Sequence, residues 1–252
     1  MDTRVGGVWP ASRNVIAGSG LADNCNLLIL ARATVDGNLI GSDPTGTLDR
    51  TDGGGISVMQ PAADVVIGGA RANLIAFSSV GIRTNSIAGS GHSWASNSIL
   101  ANDNLGIDLN SDGVTANDLN DVDSGPNNLQ NFPELNLAQQ VSGGGLRVVG
   151  SLDVPLGTVT ARYTIALYEN VACDSGGFGE GTIYLGSQDV ELTHRIAMPV
   201  VVNEDFAIRL AATPALGAVI TATATAPDGS TSEFSRCITV VSSDQLLRNS
   251  FE

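Results

Sequence analysis

The chain has 252 residues and a formal charge of −14, from 26 acidic side chains against 12 basic ones, every one of them arginine. Such a surface repels phosphate backbones and anionic lipid, which excludes nucleic acid and membrane insertion from the expected partners. Charged residues are only 15% of the chain and glycines number 30, so turns and strands are favoured over helices. No window sustains the apolar spacing of an amphipathic helix, and no apolar run is long enough to span a membrane. The expectation is an all-β chain, large enough for two domains. Met1 to Arg4 is not followed by the apolar core of a signal peptide, so a leader is expected upstream of an exported fragment.

From the N-terminus, the first signal is a short repeat of the form Asn-x-Ile-x-small. It occurs at Asn14-Val-Ile-Ala-Gly, Asn38-Leu-Ile-Gly-Ser, Asn73-Leu-Ile-Ala-Phe, Asn85-Ser-Ile-Ala-Gly and Asn97-Ser-Ile-Leu-Ala, with a related Val65-Val-Ile-Gly-Gly-Ala between the second and third. The starts differ by 24, 35, 12 and 12 residues, three of them multiples of 12. A short period of this kind means a solenoid. Each Ile is expected to point inward from a short strand onto the Ile of the next coil, and corner Asn residues to hydrogen-bond in a ladder along the axis. About three to five coils are expected. Residues 44–64 and 76–84 carry the repeat only loosely.

The segment from Asp103 to Glu134 holds seven acidic residues and no Arg or Lys. Asp108-Leu-Asn110-Ser-Asp112-Gly113 sets oxygen side chains at alternate positions before a Gly, as the first half of a calcium loop does, and Val114 would add a backbone carbonyl. The twelfth position of such a loop would be Leu119 instead of a bidentate Glu, so Asp118, Asp121 or Asp123 must close the shell. The alternative is a solvated linker of Asx turns. If calcium binds, its role is to pin the loop structurally. Gly125-Pro126 and Phe132-Pro133 then mark a rigid segment, and the domain boundary is expected near Asn136, giving domains 1–135 and 136–243 with a tail at 244–252.

From Leu146 the pattern changes to longer alternating strands at 146–153, 159–168, 182–190, 194–201, 205–211, 219–226 and 233–241, which suits an immunoglobulin-like β-sandwich. Ala226-Pro-Asp-Gly-Ser-Thr reads as the last hairpin turn, with Gly229 at positive φ. Cys173 and Cys237 each flank a predicted strand while Cys25 lies alone, so a Cys173–Cys237 disulfide and an oxidising compartment are expected. The glycine-rich run after Cys173 opens no helix and is expected to be a pinned hairpin loop.

Gly37-Asn-Leu-Ile-Gly-Ser-Asp-Pro-Thr-Gly-Thr, Arg13-Asn-Val-Ile-Ala-Gly-Ser-Gly and Val66-Ile-Gly-Gly-Ala resemble the repeats of large bacterial right-handed parallel β-helix surface proteins. Leu105-Gly-Ile-Asp-Leu-Asn-Ser-Asp-Gly-Val, Gly125-Pro-Asn-Asn-Leu-Gln-Asn-Phe-Pro-Glu-Leu and Thr231-Ser-Glu-Phe-Ser resemble the segment that ends such a helix and the sandwich after it. Leu246-Leu-Arg-Asn-Ser-Phe-Glu resembles short C-terminal tails of exported gammaproteobacterial proteins. The resemblance implies a short right-handed parallel β-helix followed by an immunoglobulin-like sandwich, located outside the cell or on its surface, with a structural or adhesive role.

The same scaffold carries pectate lyases and related hydrolases, so a catalytic site must be sought in the residues themselves. Lys is absent, Arg50, Arg71 and Arg83 are poor proton abstractors, and the Asp residues cluster in the terminal loop instead of on a coil face. No catalytic residue is therefore expected. His92-Ser93-Trp94 is expected to be an ordinary loop in which Trp94 covers the solenoid or offers a contact to a glycan, and His194 an exposed strand residue. The functional expectation is a non-catalytic exported structural or adhesion fragment, stabilised by calcium, with extracellular glycans or surface proteins as partners. A polysaccharide lyase or hydrolase and a calcium-dependent glycan-binding module are the competing classes.

Overall fold

The computed structural model describes residues 3–18, 24–51, 53–193, 195–197, 200–202 and 204–243; His194 and the tail 244–252 lie outside them. The protein is all-β. In its first half the chain visits three parallel sheets in turn. The first holds β1 (Thr3–Gly6), β4 (Ala33–Asp36) and β7 (Val66–Ile67). The second holds β2 (Val15–Ile16), β5 (Leu39–Ile40), β8 (Leu74–Ala76) and β10 (Ser98–Leu100). The third holds β3 (Cys25–Ile29), β6 (Gly54–Val58), β9 (Ile82–Thr84) and β11 (Ile107–Asp108). Each circuit lays its strands beside those of the circuit before.

The register explains why these short strands hold. Ile16 pairs with Ile40, Ile40 with Ile75 and Ile75 with Ile99 along the second sheet. Leu27, Ile56, Ile82 and Ile107 align along the third, and Val5, Val35 and Ile67 along the first. From the second circuit onward these side chains are buried in one apolar cluster. A two-residue strand has too few backbone bonds to persist alone; the columns inside supply the stabilisation.

At the corner before the second sheet an asparagine ladder runs along the stack. Asn14 Nδ2 donates to Asn38 Oδ1 (2.9 Å), Asn38 Nδ2 to Asn73 Oδ1 (3.1 Å) and Asn73 Nδ2 to Asn97 Oδ1 (2.9 Å). The backbone N–H groups of Asn14, Asn38 and Asn73 donate to the same oxygens. Asn85, which shares the motif, is not in this column. It sits half a circuit on, in the turn after β9, and Ile87, expected inside, is 59% exposed. The circuit is 24 residues from Asn14 to Asn38 and from Asn73 to Asn97. The 12-residue spacing was half of it. Between Asn38 and Asn73 the circuit is lengthened by the loop Ser42–Asp49, which Asp43 ties together by accepting from the N–H groups of Thr47 and Leu48.

The second half holds β12 (Glu134–Gln140), β13 (Leu146–Leu152), β14 (Ala161–Asn170), β15 (Ile183–Leu192), a small hairpin of β16 (Arg195–Ala197) and β17 (Val200–Val202), β18 (Glu204–Leu210), β19 (Val219–Thr225) and β20 (Ile238–Val241). Seven of these join in one sheet of order β15-β14-β19-β20-β12-β13-β18, antiparallel except for β12 beside β20. The sheet curls until its two edges meet, where the Arg209 N–H donates to Gln188 Oε1 (3.2 Å). It encloses a second apolar cluster that includes Leu146, Val148, Ile165, Leu167, Ile208 and Ala222. β12 begins at Glu134, so the boundary expected near Asn136 falls inside a strand.

The last strand starts at Ile238 instead of 233, for a local reason. Ser232 and Ser235 turn their hydroxyls onto β19, accepting from the N–H groups of Ala224 (3.0 Å) and Ala222 (2.9 Å). The hydroxyls thus replace the carbonyls as acceptors, while the Ser232 and Ser235 N–H groups still donate to the Ala224 (2.9 Å) and Ala222 (2.8 Å) carbonyls. The expected turn at Ala226 to Thr231 is present, with Gly229 at φ +96°.

The halves share their packing. Ala166, Tyr168 and Phe234 of the second half belong to the apolar cluster of the first. Ile99 and Gly181 exchange two backbone hydrogen bonds (2.9 and 3.0 Å). A Cβ at Gly181 would lie 2.7 Å from Phe234 and 2.8 Å from Tyr168, so only glycine admits this approach. Cys173 and Cys237 are joined in a disulfide, Cα–Cα 6.2 Å, which anchors the loop beside this joint. Cys25 is buried on β3.

Candidate metal centre

The acidic segment between the halves folds into two loops, and the seven expected ligands divide between them. In the first loop Asp108 ends β11, and its Oδ1 accepts from the N–H groups of Asp112 (3.2 Å) and Gly113 (3.3 Å). Asn110 turns its amide nitrogen onto Asp112 Oδ2 (2.7 Å). Its own N–H donates to Thr84 Oγ1 (2.9 Å), and Ser111 donates to the Thr84 carbonyl. Val114 is 39% exposed. Asp108, Asn110 and Asp112 therefore brace an Asx-type turn against β9. Burial pushes the Asp108 carboxyl up from its ordinary range.

The second loop brings three expected ligands together. Oxygens of Asp118, Asp121 and Asp123 all lie within 4.8 Å of one another. Asp118 accepts from the N–H groups of Val122 (3.1 Å) and Asp123 (3.1 Å), which curls the chain so that three carboxylates face one point. Asn131 clamps the curl: its N–H donates to Asp121 Oδ1 (2.9 Å), its Nδ2 to the Asp118 carbonyl (2.9 Å), and its Oδ1 accepts from the Asp118 N–H (3.0 Å). Asp153, at the end of β13, accepts from the Asn120 N–H (2.9 Å).

The electrostatics of this loop are unbalanced. Burial pushes the Asp121 carboxyl up to about 7, and the charges of Asp123, Asp118 and Asp153 push the same way against the one N–H from Asn131. Burial, then Asp118, raises Asp123 as well. Two buried oxygens, Asn120 Oδ1 and Asp123 Oδ1, have no hydrogen-bond donor. Three converging carboxylates, with two buried oxygens of the loop left without a donor, suit either a proton or a hard cation such as calcium. Asn120, Asn131 and Asp153 were not singled out in the sequence. Asp153 lies 30 residues beyond Asp123, and only the fold of β13 returns it to the loop.

A further buried carboxylate ties the joint. Glu233, from Thr231-Ser-Glu-Phe-Ser, is 3% exposed and accepts from the N–H groups of Leu109 (2.8 Å) and Thr115 (3.0 Å). Burial pushes it up to about 8, and nearby Asp108 adds to the rise.

The loop His92-Ser93-Trp94 differs from expectation on one point. Trp94 is 1% exposed and stacked on His92 with ring centroids 5.8 Å apart, so it has no face for a glycan. His92 Nδ1 accepts from the Val65 N–H (3.1 Å), and burial lowers its pKa. The His92 N–H donates to Asn127 Oδ1, and Asn127 Nδ2 returns a bond to the His92 carbonyl, so this loop docks the acidic segment. In comparisons with known proteins, no family model matches the chain and no curated protein matches it significantly.

Proposed function

We propose that the first half is a short right-handed parallel β-helix and the second an immunoglobulin-like sandwich that closes its end, together serving as a non-catalytic structural or adhesive element on the outside of a bacterial cell. The observation that carries this reading is the asparagine ladder with its in-register columns, a device that repeats along one axis and builds a rigid rod. Crossovers between parallel strands are right-handed in nearly all proteins, which supports the hand. The disulfide supports an oxidising compartment. Antibody labelling of intact producing cells, with protease shaving, tests the location: surface signal lost on shaving is expected, and signal only after lysis would overturn it.

A second reading concerns the cation. Asp118, Asp121 and Asp123 would hold calcium, with Asn120 Oδ1 as a further oxygen, and the ion would pin the loop at the joint. The two donorless oxygens favour it. Excess calcium should raise the melting temperature over that in chelator, on the order of 5 °C, and Asp121→Asn should remove the difference. Identical melts of the wild-type chain in both buffers would sink this reading.

A further inference from the structure

We propose that the cavity between the start of β12 and the loop after Cys173 is a binding site for a free amino acid with an apolar side chain. Its volume is about 500 Å³, within the range of small-molecule sites, and Val114, Phe132, Pro133, Leu135 and Phe178 give it apolar walls. The walls are held before any ligand arrives. Asn117 donates Nδ2 to the Phe132 carbonyl (2.9 Å) and accepts from the Phe132 N–H at Oδ1 (2.9 Å). The Phe178 N–H donates to Asp174 Oδ1 (2.9 Å) and its carbonyl accepts from the Asp174 N–H (2.8 Å), while the Cys173–Cys237 disulfide ties this loop to the chain beside Arg236. The rings of Phe132 and Phe178 meet edge to face, centroids 5.5 Å apart. A rigid site loses little freedom on binding.

Two opposite charges on this one cavity select the ligand. Arg236 lies over the Phe178 ring, its Cζ 4.5 Å from the centroid, which anchors the guanidinium at the apolar wall. Glu134, the first residue of β12, lines the same cavity. Both side chains are exposed, and neither makes an ion pair, with the other or with any of the described residues. A guanidinium grips a carboxylate through paired N–H groups, and a carboxylate holds an ammonium. A free amino acid carries both groups on one carbon. An anion alone would meet the repulsion of Glu134, a cation alone that of Arg236, and a neutral molecule would answer neither charge. The side chain of the amino acid would take the place of water on the apolar walls.

Calorimetric titration of the full chain with L-phenylalanine tests the site and should give a saturable heat. Phenylpropionate, which lacks the ammonium, phenylethylamine, which lacks the carboxylate, and glycine, which lacks the apolar body, should each bind at least about tenfold more weakly. Arg236→Gln should weaken phenylalanine about tenfold without weakening phenylethylamine, and Glu134→Gln should weaken phenylalanine about tenfold without weakening phenylpropionate. This crossed pattern separates direct contact from a loosened Phe178, which would weaken every ligand alike. Ala116→Trp, at an exposed position on the cavity, should fill it and abolish binding with the melt unchanged. Absence of a saturable heat, equal affinity for phenylalanine and either singly charged analogue, or undiminished binding by Ala116→Trp would overturn the proposal. So would an equal loss for all ligands in Arg236→Gln. The scaffold reading would survive any of these outcomes, because it rests on the columns and not on this cavity.

Discussion

An asparagine in the ladder does more than occupy a corner. Asn73 is fully buried; its Oδ1 accepts from both nitrogens of Asn38, and its Nδ2 donates to Asn97 Oδ1 and to the Val35 carbonyl (2.8 Å). Removing the amide leaves donors and acceptors on both neighbouring circuits without partners and without access to water. Each such group costs about 1–3 kcal/mol. Asn73→Ala is therefore expected to destabilise the protein by about 3 kcal/mol or more in urea melts. Asn85, in the same sequence motif, provides the contrast. Its Oδ1 is buried without a partner, so Asn85→Ala should change stability by less than about 0.5 kcal/mol. Equal losses in the two variants would show that the ladder is not what holds the corner. At this scale the sequence was legible where a residue's partner is another copy of itself one circuit away. It was silent on Asn120, Asn131 and Asp153, whose partners come from unrelated segments.

Among the elements, two-residue strands such as β2 and β5 are stabilised by what lies inside them. Ile75 is fully buried and paired in register with Ile40 and Ile99, while Ile87, also the third residue of an Asn-x-Ile motif, is 59% exposed. Ile75→Ala should cost about 2–5 kcal/mol by the lost contacts and the cavity left in a column that cannot collapse sideways. Ile87→Ala should stay within about 0.5 kcal/mol. Thermal melts of the two variants separate the readings, and similar shifts would restore the 12-residue period. The mistaken half-period has a physical source: Asn and small residues favour any tight corner, so they recur at turns on both sides of a circuit. The third sheet escaped the repeat because Gly54–Val58 and Ile82–Thr84 carry no corner asparagine, only an inward aliphatic residue. Of the later strands, most ran where alternation marked them. The exceptions are β12 (Glu134–Gln140), where no strand was expected, the expected strand 194–201, which divides into the paired β16 and β17, and Thr231 to Ser235, whose serine hydroxyls replace carbonyls as the acceptors for β19, a pairing that hydropathy does not register.

Across the whole molecule, most of the described ionisable groups displaced from their ordinary range lie near the joint, Asp43 in the loop Ser42–Asp49 being apart, and the joint sets how stability depends on pH near neutrality. Glu233, pushed up to about 8, and Asp121, pushed up to about 7, both bind protons more tightly folded than unfolded. Their stabilising contribution is complete below the unfolded carboxyl range near 4 and is lost as pH rises through their folded values. His92 acts in the other sense. Burial lowers its pKa, and its Nδ1 is occupied by the Val65 N–H, so its contribution holds above the ordinary value of 6.5 and fades as pH falls below it. The carboxylates' contribution is therefore lost between about pH 4 and pH 8; above the ordinary histidine value of 6.5 His92 no longer opposes it, so the melting temperature in chelator should fall between about pH 6.5 and pH 8 and level off above. Glu233→Gln should flatten the fall, whatever it does to the melting temperature itself, because the slope counts protons while the absolute value also counts the bonds to Leu109 and Thr115. A slope unchanged by Glu233→Gln would mean that the three N–H and O–H donors on this carboxylate outweigh its burial, leaving it ionised throughout. In that case the joint would be held by charge-assisted hydrogen bonds, and its weak point would move to Asp121 alone.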